Sequence, residues 1–452
     1  MAGIMASLNS VANALRTFEK GLTVTQNNVA NASTPGFAKQ SVYLEAVPFS
    51  PEQGLSGGVR VAQYESARQN YAERAVHIRQ AFYGRSEQLA ADLSRIEALF
   101  DVSGEAGIPG ALTALFSSFS AWSLSPNDTV ARQTVIERAR EIADRFRETS
   151  RALTDSGFQS GTQIQNAVET VNSLVARVRE LNVLYRNDIR NLDDPSLDAR
   201  LHATLEELAE YVDFTMLREE NGSVTLLLGG QTPLLVGEQQ FEISADTAAP
   251  QAVILDALGR DITHQVSQGR LAGMLEYRNR ILPELVSDLN RLAAAIADQV
   301  NATLAAGVDR SGQPGVPLFQ YEATDLAAAT IQVTSIRQEQ LAGALAAAPG
   351  GNGNVLALVA LGQTAQLDGF TFTGFYGTIA RRFGVALQGA REGAEQQKQM
   401  LLQARYLRER ASGVSLDEEA MHLIQFQRSY DAAARMIRAF DELLQTLIGL
   451  LR

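Results

Sequence analysis

The chain has 452 residues, which suits two or three domains better than one core. Its formal net charge is -12, the opposite of the basic footprint that nucleic-acid binding requires, and its cysteine count of 0 excludes disulfides, thiolate zinc sites and cysteine nucleophiles. It contains no apolar run of about 18 residues, so no membrane-spanning helix is expected.

The first twenty residues do not read as a cleavable leader. They lack a positive start, and Asn9, Asn13, Arg16, Glu19 and Lys20 interrupt any apolar stretch. They read instead as a helix to about Asn31, where Pro35 disfavours helical geometry at Thr34 and Gly36 permits a turn. Residues 41-47 alternate as a strand, and a loop with Pro48, Pro51, Gly54, Gly57 and Gly58 follows. Helix is expected from about Gln63 to Phe100, then around Leu112, Leu115 and Phe119. The turn at 125-128 supplies an N-cap for a stretch around Val135, Ile142 and Phe146. A long helix through Val168, Val171, Leu174, Val178 and Leu181 leads to the turn at 193-195.

The middle changes character. Asn221-Gly222 lies between apolar runs, a hairpin signal, and marks a β-rich element near 214-265. Helix returns from Leu271 through Val300, with Pro283 expected at a kink or in a first turn. Residues 307-317 form a loop, 323-365 are Ala- and Gly-rich without a clear assignment, and a helix spans about Gly374 to Ala411. Ser415 is a cap candidate for the terminal helix, with Glu418 at the capping-box position.

No catalytic pattern emerges. The four histidines, His77, His202, His264 and His422, have no metal-ligand spacing among them and read as surface or partly packed helix residues. No nucleophile elbow, Walker A loop or dinucleotide fingerprint occurs. The 350-354 glycine-rich stretch reads as a flexible loop. The 309-315 stretch lacks the acidic positions of a calcium loop. Asp417, Glu418 and Glu419 suit the positive end of a helix dipole. No enzyme activity, cofactor or metal is expected.

Both ends of the chain carry heptad-like stripes. Ile4, Leu8, Val11, Leu15, Phe18 and Leu22 recur at steps of four and three, as do Leu423, Phe426, Tyr430, Ala433, Ile437, Phe440, Leu444, Leu447 and Leu451. The spacing fits a helix buried inside a bundle as well as a seam made for assembly.

The segment SLNSVANALRTFEKGLTVTQNNVANASTPGFAKQ (7-40) resembles the N-terminal signature of the bacterial flagellar axial proteins, the rod, hook and hook-associated family. The segment SGVSLDEEAMHLIQFQRSYDAAARMIRAFDELLQTLIGLL (412-451) resembles their C-terminal partner. Residues 116-146 and 269-319 resemble the helical domain of the hook-associated branch. Leu304 departs from that pattern at a place where histidine is common. So does the order Leu197-Asp198-Ala199-Arg200-Leu201, and the β-domain often found after the VPLF stretch (316-319) is missing.

The resemblance implies a mainly α fold with a small β-element. The terminal helices, 1-35 and 415-452, would pair as an inner coiled-coil domain. Residues 36-414 would form an outer helical bundle with β-hairpins. The implied function is structural: a self-assembling part of the flagellum that joins hook to filament. Assembly would run through the two stripes together with Asn31, Pro35 and Gly36. Expected partners are further copies of the chain, the flagellar hook protein, hook-associated protein 3, an export chaperone and the flagellar type III export apparatus. Neither nucleic acid nor membrane is an expected partner. The location would be extracellular, at the hook-filament junction. A rod or hook subunit, a soluble coiled-coil adaptor or an unrecognised hydrolase are the alternatives.

Overall fold

A computed structural model describes residues 2-50, 55-100 and 107-450, with the backbone alone at 2-4, 55-56, 447-448 and 450. The first helix, α1 (Ala2–Ala30), ends where expected. The strand β1 (Gln40–Ala46) follows, then the two-residue pair β2 (Phe49–Ser50) and β3 (Leu55–Ser56), and then β4 (Val59–Ser66), which runs antiparallel to β1. Helix was expected from Gln63, but that residue lies in β4 opposite Tyr43, and α2 (Asn70–Ile96) starts later. The reason is that both faces of this hairpin are largely exposed, with Tyr43, Phe49 and Tyr64 among its exposed aromatics. Without one buried face a strand shows little period-two hydrophobic pattern.

Two cores occupy the body of the molecule, and one helix serves both. After α3 (Ile108–Leu124), Asp128 accepts the amide of Val130 and caps α4 (Thr129–Asn187). The stretches around Val135 and Val168 are therefore one helix of 59 residues, about 90 Å long at 1.5 Å per residue. Its first half packs with α3, where Trp122 is fully buried, donates its indole N–H to the Pro126 carbonyl at 3.1 Å and lies beneath the Arg132 guanidinium. Its second half faces α5 (Pro195–Tyr211), which Asp194 caps, and a four-stranded antiparallel sheet.

That sheet comprises β5 (Phe214–Arg218), β6 (Val224–Leu228), β7 (Thr232–Val236) and β8 (Gln239–Gln240), in sequence order. Asn221-Gly222 makes the first turn as expected. Val224, Leu226 and Leu228 alternate inward in the same core as Val171, Leu174 and Val178 of α4. Asn182 pins the sheet to α4 by bonding the Val224 amide and carbonyl at 2.8 Å each. A further hairpin, β9 (Ser244–Asp246) with β10 (Val253–Leu255), completes this β-rich element.

The next helix has an interruption. A π-turn at Tyr277–Ile281 separates α6 (Arg270–Glu276) from α7 (Leu282–Ala305), just before Pro283. Proline has no N–H to continue the ladder, and a wider turn absorbs the gap. Next come β11 (Phe319–Gln320), α8 (Ala327–Thr330), β12 (Gln332–Val333) and α9 (Gly353–Leu361), resolving the unassigned 323-365 stretch. The 350-354 stretch is not a free loop. It leads into α9, and buried Asn354 bonds the Ala342 carbonyl at 2.7 Å. The calcium-like loop uses Asp309 internally, to accept the amides of Ser311 and Gln313.

The long α10 (Phe372–Ser412) then runs back along α2 and leads, after Gly413, into α11 (Leu416–Leu450). The fold is thus mainly α with small β-elements, and α11 lies antiparallel to α1.

Candidate assembly interface

The two stripes meet, but neither is fully covered. Leu8, Val11, Leu15, Phe18 and Leu22 of α1, and Leu423, Phe426, Tyr430, Ile437, Phe440 and Leu444 of α11, are all half-buried. Among the stripe residues with described side chains, only Ala433 is sealed, at 1 % exposure. The side chains of Ile4 and Leu447 and the whole of Leu451 lie outside the described residues. Two helices can cover only one side of each other, so an apolar residue facing the seam keeps a wet flank. Beside the seam, Met5, Val29, Leu416, Met421, Ile424, Met436 and Leu443 are exposed. Exposed apolar residues grouped on two paired helices make this face the candidate interaction surface.

Packing within the pair is close where Gly21 meets Phe426. A Cβ on Gly21 would lie 2.8 Å from the ring. Gly21→Val is expected to displace the ring and destabilise the pair by about 1-3 kcal/mol. The combination with Phe426→Ala should cost less than the sum of the two single changes. Thermal unfolding of the four proteins measures that coupling, and simple additivity would mean that the contact is not made.

The foot of the pair is tied by polar groups that spacing did not reveal. Asn28, 1 % exposed, donates to the Gln40 carbonyl at 2.8 Å and to Glu419 Oε2 at 3.0 Å, and accepts the Gln40 amide at 2.9 Å. Lys39 bonds Glu418 at 2.8 Å and lies 3.3 Å from Glu419. Burial opposes the charge of Lys39, yet these carboxylates outweigh it and raise its pKa. The Glu418 side chain is therefore engaged by Lys39, while Ser415 Oγ lies 3.5 Å from the Glu418 amide. Glu419 is not merely a favourable charge in a first turn. It is a buried acceptor for the other end of the chain.

Below this knot lies a joint to the rest of the molecule. Asn31 bonds Asn27 and closes α1, Pro35 is exposed, and Gly36 (φ 74°) presses against α5. Arg68, at the strand-to-helix step, donates to the Gly36 carbonyl, to Glu73 of α2 and, at 2.6 Å, to Asp198 of α5. Arg408 of α10 pairs with Glu206 and reaches Glu73 at 3.3 Å, while Arg405 holds the other oxygen of Glu206. Burial alone would raise the pKa values of Asp198 and Glu206, but the guanidiniums around them bring both below the ordinary carboxylate values. Residues far apart in sequence thus join α2, α5, α10 and the exit of α1.

Residues 93-319, half of the chain, match the family model described as the flagellar hook-associated protein FlgK helical domain. The chain belongs to this family. A second model, the flagellar basal body rod FlgEFG protein C-terminal, matches residues 406-450. Flagellar hook-associated protein 1 of Bacillus subtilis is 25% identical to the chain, over 99% of each. Its namesake in Salmonella typhimurium is 24% identical, over 70% of this chain and 59% of its own. The structure of the flagellar hook junction protein FlgK from Burkholderia pseudomallei shares the fold. Its TM-score is 0.67 at 15% identity, covering 75% of this chain and all of that one. Members of the FlgK family are structural proteins, and the chain is a structural component of the bacterial flagellum. Among the described residues, no helix is long and apolar enough to cross a membrane.

Proposed function

We propose that the chain is the subunit that joins hook to filament, and that copies polymerise through the paired terminal helices. The observation that carries this reading is the half-covered seam. Six large residues of α11 and five of α1 face each other without being sealed, beside a band of exposed Met, Ile, Leu and Val. Burying one such side chain contributes about 1.5-3 kcal/mol, so neighbours that cover this flank stabilise a polymer. Repeated head-to-tail contact of this type gives a helical array.

In this reading the inner unit consists of residues near 1-35 and 415-452, with the 40-66 hairpin on its flank. Residues beyond the Arg68 joint form the outer body. The stripe residues, with Asn31, Pro35 and Gly36, are its assembly residues. The hook protein is the partner on one side and hook-associated protein 3 on the other, and the location is extracellular, at the junction. The names of the relatives support this placement.

Deleting the gene should leave complete hooks without filaments, with filament subunits released to the medium. Immunogold labelling of isolated hook-basal bodies should mark the distal end of the hook. Loss of the hooks themselves would assign the chain to another axial position.

A further inference from the structure

Two histidines that show no metal spacing in sequence meet at the joint described above. His202 of α5 is 1 % exposed, and neither of its ring nitrogens has a hydrogen-bond partner. Its Nδ1 lies 4.0 Å from Glu73 Oε2, and its Nε2 lies 3.8 Å from Asp198 Oδ1. His77 follows Glu73 by one turn of α2. The residue as a whole is half-buried, but its Nε2 is sealed from solvent and also without a partner. The two rings stack at 6.4 Å between centroids. One donor atom from each of Glu73, His77 and His202 lies within 4.8 Å of the other two. The full burial of His202 corrects its reading as a surface or partly packed helix residue, whereas His77 is partly packed on α2 as read.

We propose that Glu73, His77 and His202 bind a borderline divalent transition-metal ion, Zn2+ foremost. Two imidazoles and one carboxylate are a donor set that suits zinc, and three protein ligands leave a position for water or another group. A cleft of about 650 Å³, lined by His77, His202, Phe214 and Ser267 among others, gives access to that position. Buried polar atoms without partners are costly, and a metal ion would satisfy two of these nitrogens together. Asp198 Oδ1, 3.8 Å from the second nitrogen of His202, is beyond hydrogen-bond length and would have to close in on ion binding to orient that ring.

Charge alone does not call for a cation here, since three carboxylates, Glu73, Asp198 and Glu206, face four guanidiniums: buried Arg68, partly buried Arg408, and Arg218 and Arg405 on the more exposed rim. Arg408 holds Glu206 more closely than Glu73, which leaves Glu73 Oε2 the freer oxygen. A bound ion would fasten α2 to α5 at the foot of the terminal pair. The site rests on the cluster alone and holds whatever the axial position of the chain.

The test uses the untagged full chain, stripped with chelator and titrated with ZnCl2 by calorimetry. One equivalent per chain is expected, with a rise in the unfolding temperature. His77→Ala, at the less buried ligand, should weaken binding at least tenfold, whereas His264→Ala and His422→Ala should bind as the wild type does. No stoichiometric uptake, unchanged affinity in His77→Ala, or equal loss in the two control variants would each overturn the site. Should His77→Ala fail to fold, Co2+ in the wild-type chain decides. The strong visible absorption of four- or five-coordinate cobalt supports the site, and the faint spectrum of an octahedral carboxylate-water complex refutes it.

Discussion

Replacing Gly36 with alanine should detach the terminal helix pair from the rest of the molecule, at a cost of about 2-5 kcal/mol. Two effects add. The residue sits at φ 74°, where a Cβ meets its own carbonyl at roughly 1-2 kcal/mol. The new methyl would also lie 2.3 Å from the Ala199 carbonyl oxygen and 2.9 Å from the Ala203 amide nitrogen, both in the backbone of α5. A side chain could swing aside, but a helix backbone cannot without moving α5 out of its core. The displaced turn would also withdraw the Gly36 carbonyl from Arg68. Gly312→Ala is the control. Gly312 has φ 77° with nothing within 4 Å of where a Cβ would stand, so its substitution carries only the conformational part. Hydrogen exchange should show faster opening of α1 and α11 in Gly36→Ala, with the α4 core still protected, and swimming should fail. Equal effects of the two substitutions would show that the contact with α5 is not what makes the position special.

How much of this was visible in the sequence depends on how far apart the interacting residues lie. The seams were legible because a helix repeats its facing residues every three or four positions, and Leu15 or Phe440 needs no distant information to declare its side. The β-rich middle was legible through Asn221-Gly222. The hairpin of 40-66 was only half legible: β1 alternates, but Gln63 and Tyr64 read as the start of a helix because neither face of β4 is buried. The joint was not legible at all. Arg68 and Asp198 are 130 residues apart, and Glu73 and Arg408 are 335 apart, so their meeting depends on the docking of α2, α5 and α10. For the same reason His77 and His202 appear unrelated in sequence. Asp198 falls in the stretch where the order of residues departs from the family pattern, and it is a partner of Arg68.

The largest loss is expected from Arg68→Met. The guanidinium is 6 % exposed and holds carboxylates that are 4 % and 14 % exposed, Glu73 and Asp198. Methionine fills much of the same volume, so the change removes charge and donors more than packing. Breaking a buried ion pair from one side costs about 3-5 kcal/mol, because the remaining carboxylates have lost their counter-charge and cannot regain water. Arg68→Lys should recover little, since one ammonium cannot reach Gly36, Glu73 and Asp198 in three directions as the planar fork does. Adding Asp198→Asn to Arg68→Met should restore part of the loss by removing one stranded charge. Chemical denaturation of the three variants measures the order: Arg68→Met and Arg68→Lys low, the double variant above them. A Lys variant as stable as the wild type would mean that only the charge matters and that the fork does not fasten the exit of α1 to α2 and α5.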